Sequence, residues 1–308
     1  MADEFMDEMK ALFAAGEYAQ ILETWGAETS NSDTFKRNAF EGYQPGAQDV
    51  IISTYPKSGT TWAIQIAYQI GYHGEGEYGH LYNVVPWPDN LIPLEGNPTL
   101  DDLSIVADSP TGLRIIKSHL EADYIPYTPE AKYISIIRDP KDMLVSMMVF
   151  ENGFNQLLFD GIVPPDAWVD SFQTDKFMYQ SWPMFINSWW ALRARENVLV
   201  LTYEAMKADS VGVIQQIADF LGVSLTTEQH DKVIEKSSFA YMKANDHLYS
   251  QPAWETGGHV PLVRSGKSGN AKETLSQEQQ AQIDAFCLRE LEQLGSDFPY
   301  REVFNVVV

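Results

Sequence analysis

The chain has 308 residues, of which 44% are hydrophobic and 12% aromatic, so it can bury a sizeable core and is not a disordered chain. Its formal net charge of -22 disfavours nucleic acid and anionic membranes as partners. No apolar run approaches the roughly 18 residues of a transmembrane helix, and the acidic start lacks a signal-peptide pattern. We therefore expect a cytoplasmic protein without a nucleic-acid or membrane partner. The single cysteine, Cys287, excludes an intrachain disulfide, and its helical spacing with Ile283 and Leu291 indicates a core residue.

The first 45 residues differ from the rest of the chain. Residues 1 to about 25 carry apolar side chains at roughly helical spacing, and Gly16 divides them into two predicted short helices. Residues 26–45 are polar and rich in turn-forming residues. We interpret residues 1–40 as an N-terminal helical extension that packs on a main domain of residues 41–308, in which neither a repeat nor a linker is visible.

The main domain alternates short apolar strands with helices. Strands are predicted at residues 49–54, 113–119, 132–138 and 197–203. Helices are predicted at residues 60–72, 140–150, 176–195, 210–221, 227–242 and 276–294, whereas 74–112 and 244–272 show little regular pattern. This alternation predicts an α/β fold, a single domain with a mainly parallel central sheet flanked by helices.

The most distinctive segment, residues 55–62, reads Tyr-Pro-Lys-Ser-Gly-Thr-Thr-Trp and follows the first strand. Gly59 lets the backbone approach a ligand, and the N–H groups of Thr60 and Thr61 lie at the positive end of the next helix. Lys57 adds a positive charge, and the hydroxyls of Ser58, Thr60 and Thr61 add donors. The pattern predicts a P-loop-like site for phosphate or sulfate. The alternative is an ordinary strand–helix turn in which Ser and Thr cap the helix.

This segment is not a Walker A motif, because Lys57 precedes the glycine. The Gly-Lys-Ser at residues 266–268 has Pro261 where the first glycine of that motif would stand. The sequence thus disfavours a nucleoside triphosphate kinase without excluding it.

Two further cationic segments could contact an anion. Arg138 ends the third strand, and Ser146 lies in the helix after it, so both could face a ligand phosphate at the carboxyl edge of the sheet. A structural Arg–carboxylate pair explains Arg138 equally well. Arg264-Ser265-Gly266 lies in a glycine-rich segment that could wrap an anion or could be a solvent-exposed loop.

His119 is the candidate general base. It ends the second strand, after Lys117 and Ser118, and a neutral imidazole can take a proton near pH 7. The other five histidines lie in predicted loops or helices. A core or surface histidine is the alternative interpretation.

Together these segments resemble the cytosolic-type sulfotransferase family, which uses 3'-phosphoadenosine-5'-phosphosulfate (PAPS). Residues 55–62 are similar to the family's 5'-phosphosulfate loop, residues 117–120 to its Lys-Thr-His-Leu strand end, and residues 138–142 with Ser146 to its 3'-phosphate segment. Residues 203–207 resemble its Tyr-Glu-Asp-Met-Lys segment. Further along, the resemblance includes the adenine-lining stretch, Ser237, Ser238, Phe239 and Met242, and the Arg-Lys-Gly loop, Arg264, Ser265 and Gly266. The resemblance spans about residues 45–300.

The resemblance implies an enzyme that moves a sulfuryl group from PAPS to a hydroxyl or amine by in-line attack, without a metal. His119 would act as the general base, Lys57 would neutralise the leaving phosphate, and Lys117 would face the sulfuryl oxygens. Ser146 would bind the 3'-phosphate with Arg138. The implied PAPS-binding residues are Lys57, Ser58, Gly59, Thr60, Thr61, Trp62, Arg138, Ser146, Tyr203, Ser237, Ser238, Phe239, Met242, Arg264, Ser265 and Gly266. No Cys/His cluster with zinc spacing is present in the sequence.

Some positions depart from the family pattern. Ser265 replaces the family's loop lysine, and Asn270-Ala271 replace its Asp-Trp pair. These replacements put the affinity for the nucleotide in question. Gln277 and Ala281 interrupt the family's dimer motif, so a monomer and a homodimer both stay open. A nucleotide-binding protein that has lost turnover is therefore an alternative, although Lys57 and His119 argue against it.

The acceptor pocket is predicted only from aromatic residues near these motifs. Its candidates are Tyr82, Trp87, Phe150, Phe154 and Tyr249. Such walls would suit a small lipophilic or aromatic acceptor such as a phenol, sterol or lipophilic alcohol. Each of these residues could instead belong to the core.

Overall fold

Four short strands form one fully parallel sheet in the order β2-β1-β3-β4. The computed structural model describes residues 2–28, 32–90, 94–174, 177, 180–250, 259–264, 266 and 269–306. The strands are β1 (Asp49–Ser53), β2 (Arg114–Ser118), β3 (Lys132–Ile137) and β4 (Val198–Thr202). All of β1 and β2 is buried, as expected for parallel strands covered by helices on both faces. The predicted strands and fold class are confirmed.

The strand order places a crevice between β1 and β3. Ile51 pairs with Ile116 of β2 on one side and with Tyr133 of β3 on the other. The chain leaves β1 towards β2 and leaves β3 towards β4, in opposite directions. In parallel α/β sheets, ligands bind at the carboxyl ends of strands that diverge in this way.

The helices cover both faces of this sheet. They are α1 (Ala2–Ala15), α2 (Tyr18–Glu28), α3 (Asp33–Ala39), α4 (Thr60–Gly71), α5 (Pro140–Phe159), α6 (Pro165–Phe172), α7 (Trp182–Trp190), α8 (Tyr203–Ala208), α9 (Ser210–Leu221), α10 (Thr227–Lys236), α11 (Phe239–Ala244), α12 (Ala271–Thr274), α13 (Gln277–Gln293) and α14 (Tyr300–Val303). Short 3-10 turns lie at Leu81–Asn83, Ser104–Val106, Ala122–Tyr124 and Asp246–Leu248.

Side chains alternate along each strand between two cores. Ile51 and Ile137 point to one core, with α1, α2, α5, α6, α7 and α13, whereas Ile52 and Ile136 point to the other, with α4, α9 and α10. Met9 and Ile21 of the first two helices belong to the same core as Ile51, so these helices pack against the main domain. The boundary near residue 40 stays a prediction.

Several helices differ from their predicted ranges. Gly16 separates α1 from α2 with a positive φ of 73°, as predicted. In contrast, α3 forms in the segment predicted to be turn-rich. The helix α5 continues to Phe159. Asn152 in its later turns donates to the carbonyl of Val163, and this hydrogen bond holds those turns against the chain that follows. The helix predicted at 176–195 spans Trp182–Trp190, and the one predicted at 227–242 is two helices, with Ser238 capping the second.

A buried ion pair fixes the amino end of the sheet. Arg114, at the start of β2, contacts Asp49, at the start of β1, at 2.8 Å, and both are almost completely buried. The hydroxyl of Tyr43 donates to the same carboxylate at 2.5 Å. Charged groups at this end are therefore satisfied within the fold, while those at the carboxyl end face a cavity.

Candidate functional site

A cavity of about 240 Å³ lies at the carboxyl end of the sheet, over the crevice between β1 and β3. It is built from the turn after β1, the ends of β2 and β3, one face of α5, and the segment around residue 264. The lining includes Lys57, Gly59, Thr60, Thr61, Trp62, Tyr82, Trp87, Lys117, His119, Arg138, Ser146, Phe150, Glu151, Tyr203, Phe239, Met242, Tyr249, Arg264, Gly266 and Asn270.

The turn after β1 directs backbone N–H groups into this cavity. Lys57 adopts the left-handed region with φ 63°, and Gly59 has φ 100° as the N-cap of α4. A Cβ atom on Gly59 would lie 2.8 Å from the ring of Tyr203, so a larger residue cannot stand there without a shift. The first N–H groups of α4 have no carbonyl partner within the helix and carry the positive end of its dipole. The turn therefore has the local geometry of an anion-binding site.

His119 is held in one tautomer by the backbone. Its Nδ1 lies 2.8 Å from the carbonyl oxygen of Thr54. A carbonyl can only accept, so Nδ1 carries the proton and Nε2 keeps its lone pair. Burial, and next the charge of Lys117, lower the pKa of His119 well below its ordinary value. The ring is therefore a neutral base near pH 7.

A buried carboxylate supports the same segment. Asp89 accepts a hydrogen bond from the backbone N–H of His119 at 2.7 Å. Burial raises the pKa of Asp89 to about 6, although the hydrogen bond from His119 and the charge of Lys117 oppose the shift. Asp89 was missed from the sequence because it lies in a segment rich in Pro and Gly that showed no regular pattern.

Aromatic rings enclose the ammonium of Lys117. Its Nζ donates to the hydroxyl of Tyr82 at 2.7 Å and lies 3.2 Å from the centre of the Trp87 ring. Trp87 also packs edge-on against His119, with ring centres 5.6 Å apart. Burial lowers the pKa of Lys117 well below its ordinary value. Tyr82 and Trp87 therefore line the cavity beside the candidate base.

Lys57 is the second lysine of the cavity. Its Nζ lies 3.5 Å from the centre of the Phe150 ring. Burial lowers its pKa, the carboxylate of Glu151 opposes that shift, and the cations Arg138 and Arg264 add to it. An anionic ligand beside Lys57 would restore its charged form.

Arg138 links the end of β3 to the turn after β1. Its Nη1 donates to the carbonyl oxygen of Lys57 at 2.7 Å, and its guanidinium stacks over Tyr203 at 4.4 Å. Its Nε is buried and has no hydrogen-bond partner in the described part of the chain. The alternative interpretation, a structural Arg–carboxylate pair, is not seen there, so Arg138 retains a donor for a ligand.

Two carboxylates hold the segment that carries Arg264. Asp246 accepts from the N–H of Val263 at 2.6 Å, and Asp142 accepts from the N–H groups of Gly269 and Ala271 at 2.5 and 2.9 Å. Lys207 also donates to the carbonyl of Gly266. The segment on both sides of residues 265–268 is therefore anchored to α5 and to the turn at Asp246.

The predicted residues divide into three groups. Fourteen of them line the cavity: Lys57, Gly59, Thr60, Thr61, Trp62, Lys117, His119, Arg138, Ser146, Tyr203, Phe239, Met242, Arg264 and Gly266. Ser58, Ser237 and Ser238 are not part of the lining: the Oγ atoms of Ser58 and Ser237 are buried without a partner among the described residues, and Ser238 caps α11. Ser265 lies outside the described residues.

The remaining predictions concern supporting contacts. Trp62 donates from Nε1 to the carbonyl of Ser237 at 2.9 Å and packs edge-on against Tyr203, so it lines the cavity while being fixed by the core. Of the acceptor candidates, Phe154 does not line the cavity but packs against Phe150, with ring centres 5.1 Å apart. Cys287 is buried, as predicted.

Glu151 lines the cavity but was not among the residues predicted from the sequence. With Ser146, Met147 and Phe150 it forms one face of α5, at the helical spacing of one, four and five residues. That spacing was visible in the sequence, but the predicted helix ended at residue 150, one residue before Glu151, whereas α5 continues to Phe159.

Comparison with known proteins identifies the chain. A family model described as a sulfotransferase domain matches residues 47–295, well over half of the chain. The chain belongs to the sulfotransferase family. Mouse sulfotransferase 2A6 is 34% identical to it over 248 residues, covering 78% of this chain and 81% of the relative. Sulfotransferase 1A1 of the dog, Canis lupus familiaris, is 33% identical over 275 residues, covering 84% and 89%.

Solved structures share the fold of this sulfotransferase. A retinol dehydratase in complex with retinol and PAP superposes with a TM-score of 0.68 at 20% identity, covering 87% of this chain and 88% of that one. Mouse sulfotransferase SULT7A1, complexed with PAP, gives 0.59 at 24% identity, covering 86% and 94%.

The predicted family and enzyme class, a sulfotransferase, are thus confirmed. No helix in the described ranges is long and apolar enough to cross a membrane. Within those ranges no group of three or more His, Cys, Asp or Glu side chains could hold a metal ion. The cytoplasmic location and the choice between monomer and homodimer stay predictions.

Proposed function

We propose that this sulfotransferase moves a sulfuryl group from PAPS to a hydroxyl or amine of a small, lipophilic or aromatic acceptor, with His119 as the general base. The observation that carries the proposal is that an imidazole, two lysines and an arginine (His119, Lys57, Lys117 and Arg138) open into one cavity at the end of the sheet. Both structural neighbours named above contain PAP, the desulfated form of PAPS, which supports PAPS as the co-substrate.

The nucleotide side of the cavity fits an anion with many oxygen acceptors. Arg138 lines the cavity, and its buried Nε has no partner among the described residues; leaving such a donor unpaired costs free energy. Lys57 and the N–H groups of residues 59–61 would hold the 5'-phosphosulfate, and Arg138 with Ser146 the 3'-phosphate. Aromatic and small side chains would receive the adenosine: Trp62, Tyr203, Ser237, Ser238, Phe239 and Met242, with Arg264 and Gly266 beside it. The predicted role of Ser265, which lies outside the described residues, stays a prediction.

The chemistry follows from the tautomer of His119. Its Nε2 accepts the proton of the acceptor hydroxyl while the acceptor oxygen forms a bond to sulfur. The bond from sulfur to the 5'-phosphate oxygen breaks, and its electron pair leaves on the phosphate, where Lys57 neutralises the added charge. Lys117 faces the sulfuryl oxygens. As in phosphoryl transfer, catalysis comes mainly from positioning and charge stabilisation.

Aromatic side chains form the proposed acceptor side of the cavity. Tyr82, Trp87, Phe150 and Tyr249 line the cavity, and Trp87 lies beside His119. Such walls favour a flat or lipophilic acceptor body.

Transfer of labelled sulfate from PAPS to a panel of phenols, sterols, aliphatic alcohols and amines tests the proposal. We expect a labelled product that requires both PAPS and an acceptor. Binding of PAPS without transfer to any acceptor would indicate a nucleotide-binding protein without turnover. Tight binding of ATP with Mg²⁺, and none of PAPS, would favour a kinase instead.

A further inference from the structure

The ammonium of Lys117 lies in a cage of aromatic rings at the end of β2. Its Nζ is 3.2 Å from the centre of the Trp87 ring and 4.6 Å from that of the Tyr82 ring. The lysine is buried, and rings replace only part of the hydration that an ammonium loses on burial. Its N–H groups therefore need hydrogen-bond acceptors. The hydroxyl oxygen of Tyr82 is such an acceptor and lies 2.7 Å from Nζ.

The backbone of Tyr82 is held on both sides. Its N–H donates to Nδ1 of His80 at 3.3 Å, and its carbonyl accepts from the side-chain amide of Asn97 at 2.7 Å. The amide oxygen of Asn97 also accepts from the N–H of Trp87 at 3.2 Å. One asparagine thus fixes both aromatic residues that surround the ammonium.

The segment that carries Tyr82 is also joined to the end of β2. The backbone N–H of Lys117 donates to the carbonyl of Pro86 at 2.9 Å, and that of His119 donates to Asp89 at 2.7 Å. The hydroxyl of Tyr82 and the ammonium therefore lie on segments that are hydrogen-bonded to each other, beside the candidate base. Catalytic charges must be held to a fraction of an ångström, and this backbone frame provides such a restraint.

The Tyr82 hydroxyl is a neutral acceptor. Burial raises its pKa, so it keeps its proton near pH 7. A phenolate would neutralise Lys117, whereas a neutral hydroxyl restrains Nζ and leaves its charge available. Burial also lowers the pKa of Lys117, and a hydrogen bond accepted from the ammonium favours the charged form. The hydroxyl therefore supports both the place and the charge of the lysine.

We propose that Tyr82 is a positioning residue for sulfuryl transfer, whose hydroxyl holds the ammonium of Lys117 toward the sulfuryl oxygens. This role of the hydroxyl is separate from that of the ring, which lines the acceptor side. The inference rests on the proposed function, because it concerns a charge that stabilises the transferred group. Its effect belongs in the rate of transfer rather than in the affinity for PAP, which lacks the sulfuryl group.

Tyr82→Phe tests the proposal, because it removes the hydroxyl and keeps the ring. The rate is measured in a single turnover with labelled PAPS and the acceptor of the panel that reacts fastest. We expect it to fall roughly 10- to 100-fold, the range of a hydrogen bond to a charged group, with unchanged affinity for PAP. Tyr127→Phe is the matched control, because that hydroxyl donates to Asn197 at 2.7 Å and lies outside the cavity. It should keep the wild-type rate.

A double-mutant cycle distinguishes positioning from a general structural effect. In a Lys117→Met background, Tyr82→Phe should cause little further loss, because residues that act through one another are not additive. A loss of the same factor in both backgrounds, or an unchanged rate in Tyr82→Phe alone, would overturn the proposal.

Crystal structures of the PAP complexes of the wild type and of Tyr82→Phe provide a readout without turnover. We expect Nζ of Lys117 to stay on the hydroxyl in the wild type and to move by more than about 0.5 Å in the variant. An ammonium that keeps its place in the variant would also overturn the proposal. If the wild type sulfates no acceptor of the panel, the proposed function is refuted, and the place of Nζ alone decides whether Tyr82 positions Lys117.

Discussion

Replacement of His119 by alanine is the most direct test of the proposed mechanism. Its Nδ1–H is held 2.8 Å from the carbonyl oxygen of Thr54, which leaves Nε2 as the base. Removing a positioned general base costs about 10²- to 10⁴-fold in rate, or about 3 to 5 kcal/mol of barrier. We expect kcat to fall by that factor while PAP affinity changes little, because the nucleotide contacts lie on other residues.

The pH dependence gives a second, independent measure of the same residue. Only the neutral imidazole can accept the proton, so kcat/KM falls as the pH drops through the pKa of His119. Because burial and the charge of Lys117 lower that pKa, the acid limb that His119 sets should lie below pH 6.5.

Sulfate transfer from labelled PAPS under single-turnover conditions, with PAP binding by calorimetry, provides both measurements. His247→Ala is the control, since His247 is exposed and does not line the cavity. A His119→Ala enzyme within about 10-fold of the wild-type rate, or an acid limb centred at or above pH 6.5, would show that another group takes the proton.

Three further variants test the surroundings of the base. Arg138→Ala should weaken the binding of PAP by roughly 10- to 100-fold, but should weaken the binding of adenosine 5'-phosphosulfate, which has a 3'-hydroxyl, far less. Equal weakening of both in calorimetry would rule out a contact between Arg138 and the 3'-phosphate. Asp89→Asn should stabilise the fold by up to about 3 kcal/mol at pH 7. Burial raises the pKa of Asp89 from 3.8 to about 6, so its charged form destabilises the folded state above pH 6. This destabilisation vanishes below about pH 4, where the carboxyl is protonated in both the folded and the unfolded state. Urea unfolding at pH 4 and pH 7 measures this, and a gain that does not shrink at pH 4 would contradict it. Gly59→Ala should cost about 1–3 kcal/mol of stability and weaken the binding of PAP, because φ is 100° and the new Cβ would meet Tyr203 at 2.8 Å. Unchanged PAP affinity would show that the turn does not hold the phosphate.

The sequence predicted the parts of the site that lie at strand ends. Lys57, His119 and Arg138 each follow an apolar strand, and parallel strands bring their carboxyl ends to one edge. The physical rule is local and needs only the strand pattern. For this reason the amino-acid sequence alone was enough to place the sheet and these three side chains.

Carboxylates were harder to place than cations. Asp89 and Glu151 lie in segments where an acidic residue would ordinarily be solvated. The burial of Asp89, which accepts from the N–H of His119, depends on a chain segment far away in sequence. The second half of α5 was missed because Asn152, Gly153 and Asn155 weaken the local helical signal. Tertiary contacts, including that of Asn152 with Val163, compensate for that weakness.

The face of α5 that carries Ser146 and Glu151 has a consequence for how such an enzyme can diversify. One rigid helix contributes to both the proposed nucleotide side and the acceptor side of the cavity. Inserting a single residue between Ser146 and Phe150 would rotate everything after it by about 100° and turn the acceptor-facing side chains away. New acceptor preferences along this helix must therefore arise by exchange of side chains, while changes of length are confined to the surface loops.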